Sequence, residues 1–193
     1  LGELVPGKAS ATPAIFLYMK RIFFSIALVA FSLPGFTADR VYQTPESFVE
    51  QAFAGQPPKP QVIWLTGDIR DKTTEILGHA PAVLRLRYWN AERRSTWILE
   101  EIGKEKPITT GFIVEDDELK KVKVLIFRES RGWEVERDAF AKQYHGATLT
   151  EDMQLNRHID GISGATLSVN AINKLSRLAL YLHQQIMQKQ TKG

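Results

Sequence analysis

Two short stretches of the chain are near-copies: His-Gly-Ala-Thr-Leu-Thr at 145–150 and Ser-Gly-Ala-Thr-Leu-Ser at 163–168. Each sets a threonine behind a glycine and an alanine, which leaves its hydroxyl little steric cover. Two chemistries are open for the second copy. The hydroxyl of Ser163 or Thr166 can cap a following helix, with Gly164 permitting a tight approach, or Thr166 can be a point of covalent attachment. The surroundings separate the copies. Asp160 stands six residues before Thr166, whereas Lys142 stands six before Thr148 and His145 replaces the serine. The 145–150 copy therefore reads as a loop.

The full stretch Asp160-Gly161-Ile162-Ser163-Gly164-Ala165-Thr166 resembles the attachment motif of the FMN-binding domain family, which includes the FMN-carrying subunits of the sodium-pumping NADH:quinone oxidoreductase and of the Rnf complex. Five specified residues at fixed spacing arise by chance in well under ~1% of chains of this length. Upstream, Glu129-Ser130-Arg131-Gly132-Trp133 resembles the family's Glu-Thr-Pro-Gly segment, departing from it at Arg131. Phe140 and Gln143-Tyr144 are similar to the Phe and Gln-Phe that follow. The resemblance covers roughly residues 108–178.

The resemblance implies FMN held covalently on Thr166 through a phosphoester, placed there outside the cytoplasm by a separate flavin transferase. It implies membrane or periplasmic redox proteins as partners. Gly164 and Ala165 keep the approach to Thr166 open. Free N–H groups at the start of the following helix suit the attached phosphate, and Ser163 is placed to hydrogen-bond it. Asp160 serves transferase recognition or holds the loop. A phosphate link leaves the flavin ring unaltered, so its potential is set by its surroundings. Trp133 and Tyr144 are candidates for stacking on the ring, Glu129 for its polar edges, and Gly132 for close backbone approach. Core packing is the alternative for Trp133 and Tyr144, and a solvated strand end for Glu129. Trp89 and Trp97 read as core or sheet-face residues.

Composition narrows the alternatives. The chain has 193 residues, 44% of them hydrophobic and 24% charged, enough for one domain with a real core. It has no cysteine, which excludes disulfides, thiolate metal sites, iron–sulfur clusters and thiol-attached haem. The formal charge is +3, but much of the excess lies in residues 1–38, and no basic patch for nucleic acid stands out beyond them. His79, His145, His158 and His183 show no metal-type pairing. No Gly-x-Gly-x-x-Gly fingerprint supports direct use of NADH, and no nucleophile elbow supports a hydrolase. The expectation is an exported electron carrier rather than a stand-alone enzyme. The rivals are a cofactor-free binding or regulatory module on the same fold, and a flavin-dependent reductase.

The elements that must position Thr166 are read from pattern. Met19-Lys20-Arg21 precedes an apolar run at 22–36, broken by Pro34-Gly35 and followed by Thr37-Ala38. As a helix this run is only about 22 Å long, against about 30 Å of membrane core, and it reads as a signal peptide. If uncleaved it is a membrane anchor; no lipoprotein cysteine follows. Residues 1–18 read as an upstream extension. The expected division is 1–38 extension and signal peptide, 39–80 N-terminal helical segment, and 81–190 FMN-binding domain.

Thr44-Pro45-Glu46 opens a short helix, 55–60 is a linker, and 68–77 is a helix ended by Gly78. Strands are expected at 83–89, 96–102, 108–114 and 122–127, with polar turns at 90–94 and 115–118. A short helix is expected at 137–144. Ile172, Leu175, Ala179, Leu182 and Ile186 mark a long C-terminal helix, with Asn173, Lys174 and Arg177 on its other side. The class is α+β, an antiparallel sheet packed with helices and the long helix following the attachment loop.

Overall fold

The computed structural model describes Gly2 and residues 39–192. The readings of a signal peptide and an upstream extension lie outside the described residues, apart from Gly2. The described residues from 39 to 192 belong to one compact unit.

Six strands form one sheet: β1 (Arg40–Val41), β2 (Gln61–Trp64), β3 (Arg85–Ala91), β4 (Arg94–Ile102), β5 (Pro107–Glu115) and β6 (Glu118–Phe127). Every pairing is antiparallel, and the order is β1-β6-β5-β4-β3-β2. The four long strands follow one another through short polar turns, so each neighbours its successor. Asp116 and Asp117, with φ of +54° and +62°, make the β5–β6 turn in the left-handed conformation that matches strand twist. The expected turn at 115–118 narrows to these two residues, and the strands around it lengthen.

Helix α1 (Pro45–Ala52) starts as expected, with Thr44 Oγ1 accepting from the Ser47 N–H at 3.2 Å and Pro45 in the first turn. Its Phe48 and Ala52 pack on one face of the sheet with Ile113 and Leu125. Gly111 of β5 makes room there: a Cβ on it would lie 2.6 Å from the Phe48 ring. Helix α2 (Gly67–Leu77) ends at Gly78, whose φ of +78° and bond to the Thr74 carbonyl form a left-handed cap.

After β6 the chain makes a 3-10 turn (Trp133–Glu136), the one-turn helix α3 (Asp138–Ala141) and a second 3-10 turn (Lys142–Tyr144). The expected helix at 137–144 is thus broken in two. The 145–150 copy is a loop, with Ala147 fully buried and Leu149 bridged to Leu155.

Helix α4 (Thr166–Lys192) crosses the other face of the sheet, burying Ile172, Leu175, Ala179, Leu182 and Ile186 with Trp97 and Phe112. Its opposite side is covered too, because α2 and the 145–160 loops lie against it. The polar residues there pin those neighbours: Asn173 accepts from the Tyr144 hydroxyl at 2.7 Å, and Arg177 donates to the Ile76 carbonyl at 3.0 Å. Two strands escape the sequence pattern, β1 with two residues and β2 with four. Both are too short to show a period, and β2 follows a proline-rich stretch.

Candidate functional site

The start of α4 is built by a turn at 162–165. The Ala165 N–H donates to the Ile162 carbonyl at 2.9 Å, and Gly164 takes φ +81°, the position where a type II turn calls for glycine. Nothing lies within 4 Å of where a Cβ on Gly164 would sit, so backbone conformation alone calls for glycine there. Val169 makes the first intrahelical bond, to the Ala165 carbonyl. The N–H groups of Thr166, Leu167 and Ser168 therefore have no acceptor in the helix and carry its positive end.

Thr166 is exposed, as is Ser163. Among the described residues neither hydroxyl makes a hydrogen bond within the chain, so neither caps the helix. Ala165, by contrast, is only 3% exposed and anchors the turn to the core. The arrangement presents a free hydroxyl on an anchored base, with unpaired N–H donors beside it.

Two clefts flank Thr166, each of about 580 Å³, within the ~300–1,000 Å³ of small-molecule sites. One is lined by Lys104, Glu129, Ser130, Arg131 and residues 164–168. The other is lined by residues that include Arg157, His158, Asn170, Lys174 and Arg177. Each cleft thus carries basic side chains suited to a phosphate.

Glu129 and Gly132 shape the first cleft from behind. Glu129 is buried, and its Oε1 accepts the backbone N–H groups of Lys104, Glu105 and Lys106, at 2.6 Å and 3.0 Å for the last two. Burial pushes its carboxyl up, but these three donors outweigh that and hold it below the usual carboxylate range. Glu129 is neither a solvated strand end nor simply a group waiting on a ligand: it ties the β4–β5 loop to the cleft. Gly132 has φ +82°, and a Cβ there would lie 2.9 Å from Ser168 Oγ and 3.4 Å from Ala165. Its close approach is to the start of α4.

The structure decides between alternatives that the sequence left open at three positions. Tyr144 does not face a cleft. It is fully buried, edge-on to Phe140, with its hydroxyl spent on Asn173, because the short turns after α3 fold it under α4. Trp133 lines neither cleft; the guanidinium groups of Arg40 and Arg137 lie over its ring, at 5.8 Å and 5.1 Å from the centroid. Asp160 does not bind loop N–H groups. Its side chain is 85% exposed, 3.7 Å from His158, while its own N–H donates to Gln143.

Lys104, Ser130, Arg131 and Ser168 join the cleft wall although the sequence reading assigned them no role. Lys104 arrives from a hairpin some sixty residues before Thr166, a proximity that no local pattern carries. Among the described residues no group of three His, Asp or Glu could hold a metal. Ser95, His183 and Asp117 do line up, with Ser95 Oγ 2.7 Å from His183 Nδ1 and Asp117 3.8 Å from its Nε2. Ser95 is fully buried and already accepts from Trp97 Nε1, so this row is core polar packing and no nucleophile.

Neither a curated protein nor a solved structure matches the chain. Residues 103–181 match the family model described as FMN-binding domain. That span runs from the β4–β5 loop through the first half of α4 and takes in every residue named on the first cleft. Residues 103–181 are thus an FMN-binding domain by that match, which supports flavin binding by this part of the chain.

Proposed function

We propose that the protein is an exported electron carrier with FMN joined through its phosphate to Thr166 Oγ1. The observation that carries this is the exposed, unbonded hydroxyl of Thr166, set at the first residue of α4 between two clefts and six residues after Asp160. Attachment forms one O–P bond on Thr166, breaks the pyrophosphate bond of FAD, and releases AMP and a proton. A separate flavin transferase carries that step, and the exposed Asp160 is the natural element for it to grip.

The chain's own residues then hold the group. The N–H groups of 166–168 and the Ser163 hydroxyl receive the phosphate. The cleft at Ser130 and Arg131 receives the ring, with Lys104 adding positive charge to its wall. The flavin supplies the electron chemistry; the pocket sets its potential and orientation. Export rests on the charged-then-apolar pattern at 19–38, and the partners are membrane or periplasmic redox proteins. Among the described residues no helix is long and apolar enough to cross a membrane.

Intact mass of the protein made together with a flavin transferase tests the reading. An added mass of one FMN less one water is expected, lost in Thr166→Ala and kept in Thr166→Ser. An unmodified wild-type chain, or an adduct that survives Thr166→Ala, overturns it.

A further inference from the structure

The ladder between β3 and β4 runs only from Ala91↔Arg94 to Tyr88↔Trp97. Beyond Trp97, β4 continues to Ile102 with β5 still paired on its other side. Beyond Tyr88, β3 continues back to Arg85, paired with β2 alone. The sheet therefore opens along a seam, and a cavity of about 480 Å³ lies in it.

Backbone phase fixes what faces the seam. In an antiparallel sheet successive residues turn their N–H and C=O groups to alternate neighbours. The β4–β5 hairpin closes with the Gly103 N–H on the Lys106 carbonyl at 3.1 Å. Counting back from it, Glu101 and Leu99 turn to β5, while Ile102, Glu100 and Ile98 turn to the seam. Pro107, which has no N–H, stands opposite Ile102 and fits the same phase. In this phase Tyr88↔Trp97 is a widely spaced pair, closed by the Ile98 N–H on the Arg87 carbonyl, so past it the N–H groups of Glu100 and Ile102 have no ladder partner on the seam side.

The cavity is also lined from both faces of the sheet: Leu99, Leu175 and Leu178 on the α4 side, Ile98, Ile126 and Pro45 on the α1 side. A ligand wedged between sheet and helix would meet one face. A hollow bounded from both faces along an unpaired strand edge has the outline of a missing strand. An acyl chain would fill the apolar space yet leave the backbone donors and acceptors unmet, whereas a strand meets both needs. At the rim Val83 and Ile102 are 48% and 59% exposed, and the one charged residue among the three that β4 turns to the seam, Glu100, is held by Thr109 and Arg128.

We propose that this seam receives an extended segment of a partner protein, which adds as a strand beside residues 98–102 with apolar side chains turned towards Leu99 and Leu175. Ile102 lies two residues from Lys104 of the Thr166 cleft, so the slot would seat a partner beside the flavin-binding site. The proposal does not depend on covalent attachment, and its test needs no flavin.

The probe is a capped peptide, Thr-Val-Lys-Val-Lys-Val-Thr, added to the whole protein while backbone amide exchange is followed residue by residue. In the free protein the amides of Glu100 and Ile102 are expected to exchange fast and those of Ile98, Leu99 and Glu101 slowly. Peptide is expected to slow the first two by about tenfold or more. A version N-methylated at alternate backbone positions is expected to give no slowing. Ile102→Pro removes a seam N–H but no β5 bond; it should keep the wild-type Tm and weaken the peptide effect about tenfold. Seam amides already slow without peptide, no slowing at millimolar peptide, or equal slowing by dodecanol would each overturn the proposal. The dodecanol result would mark the cavity as a lipid site instead.

Discussion

Glu129 shows how one side chain sets the shape of the cleft beside Thr166. Its carboxylate gathers three backbone N–H groups of the 104–106 loop, and that loop brings Lys104 to the wall. A hydrogen bond to a charged group is worth about 1.5–3 kcal/mol, and because the three N–H groups share one oxygen their contributions do not simply add, so Glu129→Ala is expected to lower stability by at least about 2 kcal/mol in chemical unfolding. Glu129→Gln keeps one acceptor oxygen and should cost less. The pH sign follows from the depressed carboxyl: the contribution is present above about pH 4.3, the unfolded value, and is lost as pH falls through the lower folded value. Equal stability of Glu129→Ala and wild type would show the loop to be held otherwise. Gly132 makes a second, independent check. Its φ of +82° and the 2.9 Å approach to Ser168 Oγ mean that Gly132→Ala meets both backbone strain and a clash. A loss of about 1–3 kcal/mol is expected, together with, on the proposed attachment to Thr166, a lower yield of flavinylated protein, because the displaced atoms belong to the first turn of α4. A Gly132→Ala protein with wild-type Tm and full flavin loading would remove Gly132 from this role.

The elements depend on a few such fits. Phe48 of α1 lies over Gly111, in the middle of a central strand where glycine is otherwise a poor choice. Gly111→Ala would place its Cβ about 2.6 Å from the ring, and overpacking of this kind costs about 1–3 kcal/mol. Gly111→Ala paired with Phe48→Leu is expected to cost less than the sum of the two single changes, read by a double-mutant cycle of unfolding free energies. Simple additivity would mean that the two sites do not touch. This pairing also marks how far the sequence could be read. The caps of α1 and α2, the long helix and the four central strands are local patterns, and Thr44, Gly78 and the Ile172–Leu175–Ala179 spacing announce them. What Gly111 is for cannot be seen without Phe48, sixty-odd residues away in the chain. Likewise Ser163, Gly164, Ala165 and Thr166 were legible as a unit because the turn and helix start are continuous in sequence. The wall formed by Lys104, Ser130 and Arg131 was not, since hairpin and sheet bring it in from a distance. Tyr144 misled for the reverse reason: an aromatic beside a motif gives no sign of which way a 3-10 turn will point it.

At the scale of the whole molecule, one buried imidazole couples the core to pH. His183 is 1% exposed, with Ser95 Oγ at its Nδ1 and the half-exposed Asp117 at 3.8 Å from its Nε2. Burial pushes its pKa below the ordinary histidine value, and the attraction of Asp117 does not make up the difference against nearby Arg93. The unfolded chain then takes up a proton at His183 more readily than the fold does. Stability contributed by the neutral imidazole is complete above about pH 6.5 and declines as pH falls from there towards the lower folded value, by at most about 1.4 kcal/mol per pH unit. His79 acts in the opposite sense. Its bonds to the Ala80 carbonyl and to Glu101 raise its pKa, so its contribution is present below about pH 6.5 and fades as pH rises through the folded value. That ring is half exposed, which weakens its share through solvent screening, and the buried residue should decide the slope. Unfolding free energy is therefore expected to drop between pH 7 and pH 5.5. His183→Gln, which keeps a polar group near Ser95 but cannot titrate, should be less stable at pH 7 and nearly flat over the same range. If the variant keeps the wild-type slope, the pH dependence resides elsewhere; if both proteins gain stability on acidification, His79 governs instead.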